Sequence, residues 1–290
     1  MGAIIYQIKR MSWSEIVLLI SLVLVAAFLF LPILFIFNHA FKPFSELFNY
    51  PPTFIVRQPT FQNFNDLIMK TATGAVPFTR YMFNSLIVVV CTLFAVIFTS
   101  LMAAYVLSKH KFYFKSLVMA IIMLALMYAP ETVGIPRYLV ISWLNINNTY
   151  LGHILPFIAS PVAVFLMKQF IDQIPNDLIE AAKIDGATEL RIFARLVLPL
   201  AFPAVATISI ITIQAVWGDT QASTLFMQDE TMKTLPYYIT TLTSAGAGGN
   251  TIAGQGIAAA AGLLMFLPNL IIFLLFQKRM METMVHSGVK

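Results

Sequence analysis

The length of the apolar runs decides most of what this chain can fold into. Crossing about 30 Å of hydrocarbon as a helix, at 1.5 Å per residue, takes roughly 20 residues. Six runs approach or exceed that length: 16–37, 84–107, 117–136, 151–170, 202–217 and 252–276. The fifth is the weakest, because Pro203 opens it and Gln214 interrupts it. A proline at a helix start is tolerated, since the N–H it lacks would have no partner there. Charged residues make up only 11% of the 290 positions, against about 25% in soluble domains. No water-facing shell can be built around these helices, and the expectation is an all-α integral membrane protein with a six-helix transmembrane bundle.

The placement of charge sets the orientation. Basic residues flank the apolar runs and do not gather into a stripe, which points to membrane topology and away from nucleic acid. With the amino terminus inside, 12 of the 18 Lys and Arg residues fall in the cytoplasm, and only Lys42, Arg57, Lys70, Arg80, Arg137 and Lys233 lie outside. Both termini are therefore expected in the cytoplasm. Lys9 and Arg10 precede the first run as in a secretory signal, but the run is too long for a signal core and no small-residue cleavage site follows, so it reads as a retained helix. The one cysteine, Cys91, lies within an apolar run, which excludes an internal disulfide and a cysteine-based zinc site. The four histidines lack metal-ligand spacing. Residues 38–80 and 218–251 form long external segments, and Gly246-Ala247-Gly248-Gly249-Asn250 reads as a flexible connector. No phosphate-loop sequence GxxxxGK[ST] occurs, so any ATP hydrolysis belongs to another chain.

Between the fourth and fifth runs lies a cytoplasmic stretch with helix–turn–helix signals. Pro175-Asn176 favours a helix start, Glu180-Ala181-Ala182 is strongly helical, and Gly186 supplies a left-handed stop. A second helix begins near Thr188, with Leu190, Phe193, Ala194 and Val197 on one expected apolar face and Arg191 and Arg195 on another. Pro199 then begins the return to the membrane. Ala181, Ala182, Gly186 and Ala187 form a small-residue surface that another backbone can approach, and Glu180 offers a charge for docking.

The order Glu180-Ala181-Ala182, Gly186, Leu196, Leu198-Pro199 resembles the EAA motif of binding-protein-dependent ABC importer permeases, with Leu196 where that family usually has Ile. The helix count, the long first external loop, the Asp185-Gly186-Ala187 turn and the polar tail are similar to its carbohydrate-uptake (MalFG-like) branch. The resemblance implies a bundle of the type I ABC importer (MetI/MalG-like) kind, with residues 1–80 preceding a permease core at 81–290 and a coupling segment at 175–200. It implies a second homologous permease, two ABC ATPases that hold the ATP and Mg, and an extracytoplasmic solute-binding protein, all at a bacterial cytoplasmic (inner) membrane. Residues 176–187 would be the coupling helix, with Asp177, Glu180, Ala181, Ala182, Asp185, Gly186, Ala187, Arg191, Leu198 and Pro199 facing the ATPase or shaping the element that does. Loop 218–251 would correspond to the part that reaches the binding protein, and the tail from 277 would run along the ATPase pair.

No cofactor and no covalent chemistry fall to this chain, which is expected to be a transport subunit and not an enzyme. Polar groups at membrane depth are the candidates for a substrate pathway: Gln214, Trp217, Asp219, Glu131 and Asn145. Each has a plainer reading, Trp217 as an interfacial anchor and Glu131 as a partner for Arg137. The glycines and alanines from Gly254 to Gly262 read as a close-packing surface. The resemblance favours an oligosaccharide as substrate, neutral or anionic such as a uronate oligomer. A non-sugar solute, or a secondary transporter, is the alternative.

Overall fold

The computed structural model describes residues 12–47, 53–72, 76–244 and 252–288, with backbone but not side chains for 70–72, 130–131, 243–244, 252–254 and 278–288. Every regular element among the described residues is helical. The chain divides into two compact units, Met1–Met69 with Leu242–Leu263, and Lys70–Thr241 with Leu264–Lys290.

The first unit begins with α1 (Trp13–Ala40), which opens on a capping box. The Ser12 hydroxyl accepts from Glu15 N–H, and the Glu15 carboxylate accepts from Ser12 N–H at 2.8 Å. Large apolar side chains are exposed all round α1, as suits a helix surrounded by lipid or by other helices. One-turn α2 (Phe44–Leu47) and α3 (Gln62–Ala72) follow. The buried Asn63 amide donates to the carbonyls of Ala40 and Lys42, both at 2.9 Å, and so satisfies acceptors left over at the end of α1. Lys42 is buried and donates to Thr53 O at 2.6 Å, while the Glu46 carboxylate accepts from the N–H groups of Arg57 and Gln58. Gly256, in the last helix, lies so close to Asn63 that a Cβ would come within 2.6 Å of its side chain. At that position the small-residue surface read from the sequence is a steric requirement.

In the second unit the central element is α4 (Phe78–Lys109). Its buried face follows the i+4 ridge through Asn84, Val88, Thr92, Val96, Ser100 and Ala104, while Leu86, Val90, Phe94, Phe98, Met102 and Val106 stand exposed on another. Small, hydroxylated and amide side chains run along the inside together with Tyr81, Leu101, Tyr105 and Leu107, and large apolar side chains line the outside, as lipid favours. Cys91 is on the exposed side. After α4 come α5 (Lys115–Met127), α6 (Gly134–Trp143), α7 (Tyr150–Ile158), α8 (Pro161–Asp172), α9 (Asn176–Ile184), α10 (Glu189–Leu200), α11 (Phe202–Trp217), α12 (Gln221–Phe226), α13 (Leu235–Ser244) and α14 (Ile252–Gly288). Helix α4 packs against α7, α8 and α11.

Among the described residues, three helices are long and apolar enough to cross a membrane alone, Trp13–Ala40, Phe78–Lys109 and Gln255–Gln277. The expected third and fourth spans are not single helices. The third ends at Met127 and passes through a tight turn at Pro130–Val133 before α6, because Pro130 pushes the preceding residue out of helical geometry. The fourth breaks by 45° between α7 and α8, where Ser160 caps Ala163 N–H at 3.3 Å and Pro161 takes the first helical position. Helices α10 and α11 meet at 72°.

The segment 229–235 is stapled onto the bundle by side chains. The Asn84 amide donates to Thr231 O at 2.9 Å and Lys233 O at 2.8 Å, and its oxygen accepts from Tyr150 Oη at 2.8 Å. His153 Nε2 lies 3.1 Å from Met232 O, and Ser85 Oγ accepts from Leu235 N–H at 2.8 Å. Asn84 is fully buried, so its replacement takes the partner from Lys233 O and Tyr150 Oη, while Thr231 O keeps the Arg80 Nε donor at 3.0 Å. Asn84→Leu is expected to cost about 3 kcal/mol, read as a lower melting temperature in detergent, with Tyr150→Phe costing clearly less.

Candidate coupling site

Helix α9 is closed at both ends by its own sequence. Pro175 stands at its N-cap with extended ψ, and Asp177 sits in the first turn where a negative charge suits the helix dipole. At the other end Gly186 has φ +76°, its N–H donates to Lys183 O at 3.0 Å, and Ala187 N–H donates to Ala182 O at 2.9 Å. That pair of bonds is the Schellman arrangement, which supplies donors to carbonyls the helix leaves over. A Cβ on Gly186 would meet nothing within 4 Å. Glycine is required there for the backbone angle and not for space.

The small residues divide between two faces. Ile179 is buried, and Ala182 and Ala187 pack against the core formed by Ala104, Tyr105, Ile171, Ile174, Ile192 and Val197. Asp177, Leu178, Glu180, Ala181, Ile184, Asp185 and Gly186 are exposed, Ile184 to 86%. An isoleucine so exposed, beside an alanine and a carboxylate, gives this short polar helix an apolar spot on its outward face.

The expected apolar face of the next helix is corrected. Leu190 is 78% exposed and Ala194 also faces out, while Ile192, Phe193, Leu196 and Val197 turn inward. The cause is a π-helical turn over Phe193–Val197, closed by Leu198 N–H donating to Phe193 O, which widens the helix just before Pro199. Proline supplies no N–H and its ring crowds the carbonyl four residues earlier, so the turn before it does not continue as a regular α-helix. Arg191, Arg195, Leu198 and Pro199 are all exposed.

One residue overlooked in the sequence ties this segment together. Glu189 accepts from Lys183 Nζ at 2.7 Å and from Tyr105 Oη at 2.8 Å, and His110 Nε2 lies 3.7 Å away. The bonds from Lys183 and Tyr105 hold its carboxyl below the usual carboxylate range. At the front of α9, Lys109 Nζ donates to Ile174 O at 2.5 Å and Asn176 Oδ1 at 3.1 Å, and Ser108 Oγ donates to Asp172 Oδ1 at 2.6 Å. The available signal was the cluster of polar residues from Tyr105 to His110 at the end of an apolar run.

Most of the residues considered for a substrate pathway have structural tasks. Trp217 is only 3% exposed, and its indole N–H donates to Met265 O at 3.1 Å, so its ring is not free to stack on a ligand. Asp219 accepts from the N–H groups of Gln221 and Ala222 and so starts α12. Burial raises its pKa, against those two bonds and the charge of Arg137. Asn145 adopts φ +54° and ends α6 as Gly186 ends α9, with Asn145 N–H on Ser142 O and Ile146 N–H on Ile141 O. Gln214 is exposed on α11. The Glu131 side chain and residues 246–250 lie outside the described residues.

The sequence pattern of the family described as "Binding-protein-dependent transport system inner membrane component" matches residues 2–278. The chain belongs to this family. It is 29% identical over 285 residues to the arabinooligosaccharides transport system permease protein AraQ of Bacillus subtilis (strain 168), covering 98% of this chain and 97% of that one. It is 32% identical over 244 residues to the sn-glycerol-3-phosphate transport system permease protein UgpE of Pectobacterium atrosepticum, covering 84% and 86%. Its fold matches a chain of a bacterial ABC transporter involved in the import of the acidic polysaccharide alginate, with a TM-score of 0.79 at 20% identity over 92% of this chain and 98% of that one. The chain thus carries the fold of an ABC importer permease.

Two substitutions separate backbone geometry from contact. Gly186→Ala is expected to destabilise by about 1 kcal/mol, because an L residue is strained at positive φ, with faster hydrogen exchange over 183–187. Asn145→Gly at the matching stop of α6 is expected to leave the melting temperature unchanged or raised.

Proposed function

We propose that this chain is a permease subunit of an ATP-driven (ABC) importer for a sugar, and that α9 is the element its ATPase grips. The observation that carries this reading is the separately capped helix whose exposed face combines Glu180 and Ala181 with the apolar Leu178 and Ile184. Glu180, Asp177 and Asp185 offer charge at the rim, and Ala181 permits close approach. Gly186 fixes the turn, and Ala182 and Ala187 seat the helix on its own bundle. Arg191 extends the docking surface, while Leu198 and Pro199 set the return into the membrane. ATP and Mg sit on two partner ATPases, a second permease completes the pathway, and an extracytoplasmic binding protein delivers the solute. Both termini are cytoplasmic in this reading.

Transport then proceeds by alternating access. ATP closes the ATPase pair, the coupling helices move together and the bundle opens outward, and hydrolysis resets it. The chain's work is to hold two conformations of different access that the partners bias. Similarity to the arabinooligosaccharide permease AraQ supports an oligosaccharide, and the shared fold with an importer of acidic alginate supports an anionic one. Gln214, exposed on α11, is the residue this reading gives to the pathway. A phosphorylated polyol is the second reading, supported by similarity to the sn-glycerol-3-phosphate permease UgpE.

Co-purification from the native membrane tests the assignment. The solubilised chain is expected to bring down a second permease and an ATPase with a phosphate loop. Glu180→Lys is expected to keep the permease and reduce the recovered ATPase at least about fivefold, the scale of an ordinary coupling energy. Full ATPase recovery with Glu180→Lys contradicts the role given to α9.

A further inference from the structure

We infer that the cytoplasmic end of α4 is pinned to both ends of α9 and is the route by which coupling-helix motion reaches the centre of the bundle, with Lys109 and Glu189 as positioning residues. This rests on the importer reading above. Helices α8 and α10 adjoin α9 along the chain, so they follow its movement through the backbone. Helix α4, the most central element of its unit, has no such connection: more than sixty residues separate Lys109 from Asn176. Whatever α4 senses of α9 arrives through side chains.

Those side chains form two attachments. At the front, Lys109 Nζ holds Ile174 O at 2.5 Å and Asn176 Oδ1 at 3.1 Å, beside the Ser108–Asp172 bond of 2.6 Å. Lys168 Nζ meets the other oxygen of Asp172 at 2.5 Å, so that carboxylate is held from α8 as well. At the rear, Glu189 joins Tyr105 of α4 at 2.8 Å to Lys183 in the last turn of α9 at 2.7 Å, with His110 at 3.7 Å on the same carboxylate. A single attachment would be a pivot about which α9 could rotate without moving α4. Two attachments at opposite ends of a nine-residue helix transmit rotation as well as translation. Tyr105 is buried and packs its ring against Phe193 at 5.4 Å, which keeps the rear attachment from swinging. Small and hydroxylated side chains, Ser85, Thr92, Ser100 and Ala104, lie along the buried face of α4, which packs against α7, α8 and α11, and leave it room to shift.

The test uses the whole transporter in proteoliposomes, with its ATPases and binding protein, and reads solute taken up per ATP hydrolysed. Lys109→Met and Glu189→Leu are each expected to lower that ratio at least about fivefold while the ATPase still co-purifies. The charge exchange Glu189→Lys with Lys183→Glu restores the rear pair and is expected to recover most of the ratio, which a purely structural defect would not do. A wild-type ratio in both single variants overturns the proposal. So does loss of the ATPase from the complex, since that would place Glu189 in the docking face. A wild-type chain that recruits no ATPase overturns the importer reading, and this inference falls with it.

Discussion

Hydrocarbon offers no hydrogen bonds, and that constraint governs where this chain can stop, bend and turn. Every interruption of a helix releases backbone groups that only the protein can satisfy. The breaks are accordingly closed from within. Ser160 and Pro161 start α8, Asn145 and Gly186 end α6 and α9 with the same pair of backbone bonds, Asp219 starts α12, and Asn63 covers carbonyls at the end of α1. Segment 229–235 has only a short 3-10 turn at Glu230–Met232 for internal bonding, and the carbonyls of Thr231, Met232 and Lys233 are met by Asn84, His153 and Arg80. Irregular backbone survives beside a membrane because polar side chains on neighbouring helices were available to meet it.

The same constraint bears on the faces of α4. Since lipid and a leucine-lined interior are equally apolar, there is little gain in burying large side chains, and close packing of small and hydroxylated ones decides the inner face. Where α4 leaves the membrane, its side chains become ionic and take hold of α9. The short helix is thereby bound inward through Ile179, Ala182 and Ala187 while Glu180, Ala181 and Ile184 stand exposed on its outward side. Each surface salt bridge at this end is worth only about 0–1 kcal/mol. Their effect is to fix the geometry of α9 against the end of α4.

Much of this was legible in the sequence. The apolar runs located the helices, and Pro175, the Glu180-Ala181-Ala182 run and Gly186 located α9 and its stop, because caps and left-handed glycines act over a few residues. Features that depend on long-range contact were not legible. Leu190 and Ala194 fit an inward face by periodicity, yet both are exposed, and Ile192, Phe193, Leu196 and Val197 form the face that packs on the neighbouring helices. Trp217, Asp219 and Asn145 had the chemistry of a sugar site, and their bonds to Met265, to Gln221 and Ala222, and to Ser142 show other employment. Glu189 drew no notice because its partners Tyr105 and Lys183 come from different helices.

Reconstituted transport tests the central claim most directly. Purified chain, partner permease, ATPases and binding protein are placed in proteoliposomes, and entry of a labelled oligosaccharide is followed with each component omitted in turn. The account predicts uptake that requires ATP and stops when either the ATPase or the binding protein is left out. Uptake by this chain alone, driven by an ion gradient and indifferent to ATP, would contradict it.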